Sequence, residues 1–157
     1  MKAAALLSLA AGTAATLAGL ALPVHAAEDG AAIYGRCAAC HTRTGAGVPG
    51  VFPPLGEDFR VLASSDAGRR YLALVVTRGV SGPIKVGGKP FAGVMPAQAT
   101  LDDASVAAVL NHVGTEIAKT GPAFKPFAEG EVATIRAGGT ALSAQDVGKL
   151  HAGAGGQ

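Results

Sequence analysis

Two thiols and an imidazole stand together at Cys37-Ala38-Ala39-Cys40-His41. The spacing has a specific chemical use. Thiols one helical turn apart can add to two vinyl groups on one edge of a porphyrin, and the histidine that follows then falls beneath the iron. The pattern C-x-x-C-H therefore predicts covalent attachment of haem c, one per chain. Cys37 and Cys40 would form the thioethers and His41 the iron–nitrogen bond. Two other uses of paired cysteines fit less well. A thioredoxin-like redox pair opens a helix after a buried strand, whereas here a helix-like segment precedes the pair and a Gly/Pro-rich run, Thr44–Leu55, follows it. A structural zinc site takes four ligands, mostly thiolates. This chain has two cysteines, and His25, His112 and His151 are scattered.

An electron-transfer haem needs a second axial ligand, and thioether sulfur raises its reduction potential. Met95 is the one methionine besides the initiator. A lone methionine is ordinarily core filler. Met95 instead stands in a loop, Gly93-Val94-Met95-Pro96, just before the strongest helix of the chain. That setting predicts a ligand, so the metal ligands are His41 and Met95. With both axial positions filled there is no open site for a substrate, and the chain reads as an electron carrier rather than an enzyme on its own.

The elements that must hold these groups can be read in turn. Met1–Ala26 has the form of a secretory signal: Lys2, then the apolar stretch Ala3–Leu22, then Pro23 and a cleavage site before Ala27. The alternative is a retained membrane anchor, since the stretch approaches spanning length. Export suits the motif, because bacterial haem attachment takes place outside the cytoplasmic membrane. A short helix is expected over Glu28–Arg36, with Ile33 and Tyr34 as its large apolar residues and Gly30 one turn from Tyr34. Thr42–Ser65 reads as a Gly/Pro-rich loop, in which Val51, Phe52 and Leu55 suit a haem edge. Ser65 caps a helix to Arg78, with Tyr71, Leu72, Val75 and Val76 inward, Arg69 and Arg70 outward, and Gly79 as its stop. Gly87-Gly88 is a turn between extended pieces Ile84–Val86 and Lys89–Phe91. Leu101–Ala118 is a helix capped by Asp102, with Val106, Leu110, Val113 and Ile117 as its buried stripe. Beyond Pro122 and Pro126, short helices are expected at Glu129–Arg136 and, capped by Ser143, at Ser143–Leu150, with a disordered end from Gly153. The domain plan is thus 1–26 signal, 27–118 haem domain and 119–157 extension.

A formal charge of +2 gives no basic stripe for nucleic acid. Its distribution is uneven. Between Arg36 and Lys89 eight basic residues stand against three acidic ones, a segment charge of +5. If these ring the haem edge they would steer an acidic partner, with Lys85 and Lys89 the best candidates.

The motifs Cys37–His41, Phe52-Pro-Pro-Leu55, Gly93-Val-Met-Pro96 and Leu101–Leu110 together make the chain resemble a class I monohaem cytochrome c over about Ala27–Ala118. The resemblance implies an all-α fold: a small cytochrome c fold of three to five helices wrapped around one covalently attached haem, with long Gly/Pro-rich loops. It also implies that the Pro53 carbonyl accepts a hydrogen bond from the second nitrogen of His41 and that Leu55 packs on the haem. The run Gly82–Pro96 and the tail Glu131–Arg136 are more loosely similar to cytochrome subunits or partners of bacterial periplasmic dehydrogenases. The expected role is periplasmic electron transfer. The implied redox protein partners are a periplasmic dehydrogenase as donor and an oxidase or other cytochrome as acceptor, with no stable membrane insertion after signal removal. The alternative role is that of an electron-accepting subunit of such a dehydrogenase. Rivals of other classes are a haem sensor or peroxidase-like enzyme with an open iron, and a thiol oxidoreductase. Two positions depart from the family. Tyr34 lies one residue too close to Cys37, which turns it by about 100° on a helix, and His112 stands where the last helix usually has an aromatic. Both bear on the crossing of the first and last helices of the haem domain.

Overall fold

The computed structural model describes residues 29–56 and 58–156. The expected signal segment Met1–Ala26, its cleavage point and the anchor alternative lie outside the described residues. So do Glu28, Glu57 and Gln157.

Helix α1 spans Gly30–His41, and Asp29 caps it by accepting the Ala31 N–H at 3.0 Å. It is longer than the segment expected from sequence and carries the whole thiol–imidazole motif on its last turns. Nothing from Cys37 to His41 breaks a helix, and the chain leaves it only at Thr42, with φ 63°. The following loop is interrupted by a short helix, α2, Phe59–Ala63. Helix α3, Asp66–Arg78, is capped by Ser65, whose hydroxyl accepts the Gly68 N–H at 3.0 Å. It ends at Gly79, with φ 76°. Two small antiparallel pairs follow: β1, Val80–Ser81, with β4, Val94–Met95, and β2, Ile84–Val86, with β3, Lys89–Phe91. Gly87 and Gly88, both at positive φ, make the turn between β2 and β3. Helix α4, Asp103–His112, is capped by Asp102, whose carboxylate accepts the Ser105 N–H at 2.8 Å. The helix expected to run on to Ala118 loosens into a π-helical turn, Val113–Ile117. There Arg60 donates from Nε and Nη2 to the Gly114 carbonyl, at 3.2 and 2.9 Å. Val106, Leu110 and Val113 are buried as the stripe requires, while Ile117, on the altered turn, is half-buried. Helices α5, Glu129–Ala137, and α6, Ala144–Gly153, complete the described chain. Among the described residues the 27–118 segment thus holds four α-helices, and the extension adds two.

α1 crosses α4 at Gly30. A Cβ there would collide with the backbone of Ala108, so only glycine permits this approach. The two departures noted above meet one turn further on. The rings of Tyr34 and His112 lie 5.3 Å apart, tilted by 43°, and the Tyr34 hydroxyl donates to the Thr42 carbonyl at 2.8 Å.

Two expectations need correction. Arg69 does not point outward: it is 6% exposed. α3 is covered on a second side by the chain beyond residue 118. Arg69 there donates to Glu131 Oε2 at 2.7 Å, to the carbonyls of Lys125 and Pro126 at 2.8 and 3.2 Å, and lies 3.9 Å over the Phe127 ring. Arg70 is half-buried rather than outward. The end from Gly153 is not a disordered tail over residues 153–156. α6 runs through Gly153, Ala154 is buried, and the Gly156 N–H bonds the His151 carbonyl at 3.0 Å. The extension and the haem segment share one core, with Val132 and Val147 fully buried in it. Asn111 fixes the strand between them, its side chain bonding both the N–H and the carbonyl of Phe127. Arg78 holds the Leu142 carbonyl, and Arg136 spans from Asp103 to the Leu101 carbonyl.

Arg69→Met should therefore unfold at lower urea and cost about 1.5–3 kcal/mol, because it removes charge-assisted hydrogen bonds to Glu131 and to the Lys125 and Pro126 carbonyls, acceptors that water can partly reach. The hydrogen bond from Arg69 also holds the Glu131 carboxyl below its ordinary value of 4.5. A lowered folded pKa means that this contribution is whole above 4.5 and is lost as pH falls below it through the folded value. Urea titrations between pH 7 and 3 should show that acid-labile part in the parent and lack it in Arg69→Met.

Candidate haem site

One cleft gathers most of the residues singled out from sequence. Cys37, Cys40 and His41 reach it from α1, Pro53 and Leu55 from the loop, and Met95 from β4. The rest of the wall is mainly aliphatic and aromatic: Leu72, Val75 and Val76 of α3, Val109 and Leu110 of α4, and Phe59 and Leu62 of α2. Val75 and Val76 are half-buried: both line the cleft while packing against the core.

His41 is buried, and its Nδ1 lies 2.9 Å from the Pro53 carbonyl oxygen. A carbonyl can only accept, so Nδ1 carries the proton and Nε2 is the nitrogen left with a lone pair for a metal. Burial also pulls the imidazole below its ordinary pKa, against the smaller opposing effect of that bond, and so favours the neutral form that a metal requires. The loop that carries Pro53 is itself tied down: the Leu55 N–H bonds the Gly45 carbonyl at 2.8 Å, and the Gly47 N–H bonds the His41 carbonyl at 3.0 Å.

Met95 is half-buried in the cleft wall. Its backbone is held by pairing with Val80, and Gly79 lies so close to the Met95 carbonyl that a side chain there would clash. The sulfur is thus delivered by a paired strand, not by the free loop expected from sequence.

Both thiols are free and partly buried. Burial, more than the opposing effect of Arg36, pushes the Cys37 thiol up. A redox or nucleophilic cysteine needs the opposite shift, so the site disfavours the thiol-oxidoreductase rival. Among the described residues no three His, Cys, Asp or Glu side chains converge as a metal-binding group. A protein-only zinc site therefore has no support. The donor set fits a haem: two free thiols on the last turns of one helix, one oriented imidazole, one thioether and apolar walls.

Three polar residues in the same cleft escaped the sequence reading: Asp58, Tyr71 and His151. His151 Nε2 lies 3.0 Å from Asp58 Oδ2, and the Tyr71 ring meets the His151 ring edge-on at 5.0 Å. Asp58 and His151 are 93 positions apart, and no local spacing announces such a pair. Tyr71 was legible only as part of an apolar face.

The cytochrome c family model matches residues 27–116. A cytochrome c-552 of Thermus thermophilus is 46% identical over 123 residues, covering 77% of this chain and 81% of that protein. Another cytochrome c-552 of the same species is 46% identical over 111 residues, covering 69% and 85%. Both matches are longer than the family model's span. A cleft built for a thiol-anchored macrocycle thus lies in a segment of matching sequence: the chain belongs to the cytochrome c family, and it is an electron-transfer protein with covalently bound haem c and redox partners.

Proposed function

We propose that this chain is a periplasmic shuttle carrying one electron at a time on a haem ligated by His41 and Met95. The observation that carries this reading is the cleft that holds both cysteines, an imidazole already committed to a backbone carbonyl, and the thioether sulfur. The bound haem supplies the Fe(II)/Fe(III) couple. The chain's residues do the rest. Cys37 and Cys40 anchor the ring edge. The Pro53 carbonyl takes the Nδ1–H of His41, which fixes the imidazole plane and makes Nε2 a stronger donor. Leu55, Val75 and Val76 keep water from the ring. Met95, which lines the same cleft, would fill the position a substrate needs, which disfavours the sensor and peroxidase-like rivals.

The signal-like segment Met1–Ala26 supports export, and among the described residues no helix is long and apolar enough to cross a membrane. The partners would be a periplasmic dehydrogenase as donor and an oxidase or another cytochrome as acceptor. The likeness of Gly82–Pro96 to dehydrogenase-associated cytochromes favours a second reading, a stable electron-accepting subunit. Co-purification with a dehydrogenase separates the two. The division 1–26, 27–118 and 119–157 is kept as a proposal about processing and ancestry, since the last two segments fold as one body.

The surface narrows the docking face. Of the eight basic residues between Arg36 and Lys89, Arg60, Arg69 and Arg78 are spent on carbonyls and Glu131. Arg36, Arg43, Lys85 and Lys89 are exposed. At the cleft rim Val51 is 52% and Val94 70% exposed. The docking face is therefore an apolar rim with Arg36 on it and Lys85 and Lys89 on the β2–β3 hairpin, whose Ile84, Val86 and Phe91 line the same cleft.

Three outcomes are expected. In the oxidised protein the weak near-infrared sulfur-to-iron charge-transfer band is present, and Met95→Ala abolishes it while haem stays covalently bound. An unchanged band would remove Met95 as ligand. The mature protein begins at Ala27 by N-terminal sequencing and intact mass, and membrane-bound protein that retains Met1–Ala26 would mean an anchor. Electron-transfer rates with the partner fall as salt rises, since exposed charges are screened within about 8 Å. The double change Lys85→Glu/Lys89→Glu slows the second-order rate by about tenfold and flattens the salt dependence. Rates indifferent to both would place docking on Val51 and Val94 alone.

A further inference from the structure

We propose that Tyr71 and His151, the latter held by Asp58, form a carboxylate-binding site inside the cleft that takes a haem propionate. The cleft's polar groups are few, and most are already committed. The Tyr34 hydroxyl donates to Thr42, His41 Nδ1 to Pro53, and the Gln98 amide to Pro96. Two groups are left over. Tyr71 is 3% exposed, yet its hydroxyl has no hydrogen-bond partner among the described residues. His151 is 4% exposed, and Asp58 engages only its Nε2. Among the described residues no fully buried side-chain nitrogen or oxygen lacks a partner, so both groups keep access to the cleft, and a ligand that expels water from it must supply the bond water otherwise makes. Both side chains line the cleft, so the partner is expected to come from what fills it.

The chemistry of the ring selects which part. Haem carries its vinyl groups on one edge and its two propionates on another. With the vinyl edge fixed by Cys37 and Cys40 of α1, the carboxylates lie away from that helix. Arg36, exposed beside Cys37, stands at the wrong edge. The polar cluster comes from other elements: α6, which carries His151, packs on α3, β1 and β2, whereas α1 packs on α4. Burial and the Asp58 carboxylate push the Tyr71 phenol well above its ordinary range, so it is a neutral donor at any working pH. With Nε2 taken by Asp58, Nδ1 is the ring nitrogen of His151 left for a propionate, so the imidazole stands between two carboxylates that would otherwise repel. Asp58 acts through His151 and is a positioning residue. His151 lies beyond the 27–116 span of the family match. The extension thereby contributes a residue to the haem site itself.

This inference rests on haem lying in the cleft, but not on Met95 being its ligand. Its test is the holoprotein with Tyr71→Phe, His151→Gln and His151→Arg. Two readouts separate binding from packing: the propionate-bending band in resonance Raman spectra, and the reduction potential. Losing a donor leaves the propionate's charge less compensated, which favours Fe(III). Tyr71→Phe, nearly isosteric, should shift the band and lower the reduced-to-oxidised ratio at fixed poise by about two- to tenfold, the worth of one hydrogen bond. His151→Gln should act in the same direction, and His151→Arg, which can span two carboxylates, should restore both readouts. Should His151→Gln fail to fold, Tyr71→Phe decides alone. Band and potential unchanged in Tyr71→Phe would overturn the proposal. Absence of the sulfur-to-iron band in the unmutated protein would instead overturn the Met95 assignment and leave this site standing.

Discussion

A flat, apolar cofactor must be walled off from water on both faces, and this chain has little with which to do it. It holds five phenylalanines, two tyrosines and no tryptophan, against 23 glycines. No single helix can line such a cleft. Walls therefore come from several elements together: Leu72, Val75 and Val76 of α3, Val109 and Leu110 of α4, Phe59 and Leu62 of α2, and Val94 and Met95 of β4, with α1 giving the thiols and the imidazole. The glycines serve the same end. Gly30 lets α1 lie against α4, and Gly79 lets the end of α3 lie against the backbone of Met95. Close backbone approach replaces bulky side chains as the way to exclude solvent.

Features governed by neighbouring residues were legible in the sequence. The caps at Ser65, Asp102 and Ser143 are where side-chain chemistry places them, because a cap needs only a donor two or three residues away. The Gly87-Gly88 hairpin and the thiol–imidazole motif are local for the same reason. What was not legible depends on partners far along the chain. Arg69 and Arg70 look like one solvated pair on a helix surface. The first is buried only because Glu131, 62 residues later, returns to meet it. The extension, broken by prolines, gives no sign that Val132 and Val147 complete the same core as Leu74 and Val106.

The same long-range pairing changes what the charge count means. A segment charge of +5 suggests a strong steering field, but a guanidinium that donates to carbonyls or a carboxylate inside the fold is not presented to a partner. Arg60 holds the π-helical turn, Arg69 and Arg78 hold the extension, and only the cations outside these roles act on the surface. Arginine suits this internal work because its planar fork can serve several acceptors at once, as Arg69 does with Glu131, Lys125 and Pro126.

An electron carrier works best when its two redox states need the same geometry, since any rearrangement adds to the barrier. The scaffold favours that condition at both candidate ligands by different means. His41 ends a helix and is fixed from outside by a backbone carbonyl, whose loop is pinned at Gly45 and Gly47. Met95 is not carried on a helix. Its position depends on two residues of strand pairing, Val80 with Met95 and Ser81 with Val94, and β1 is in turn backed by α6. Gly148 of α6 sits directly on the Ser81 carbonyl, where a side chain would collide. The extension thus supports the methionine side of the cleft by packing from behind. Stiffness at a candidate ligand with no rigid element of its own is obtained from a part of the chain that the thiol–imidazole motif does not include.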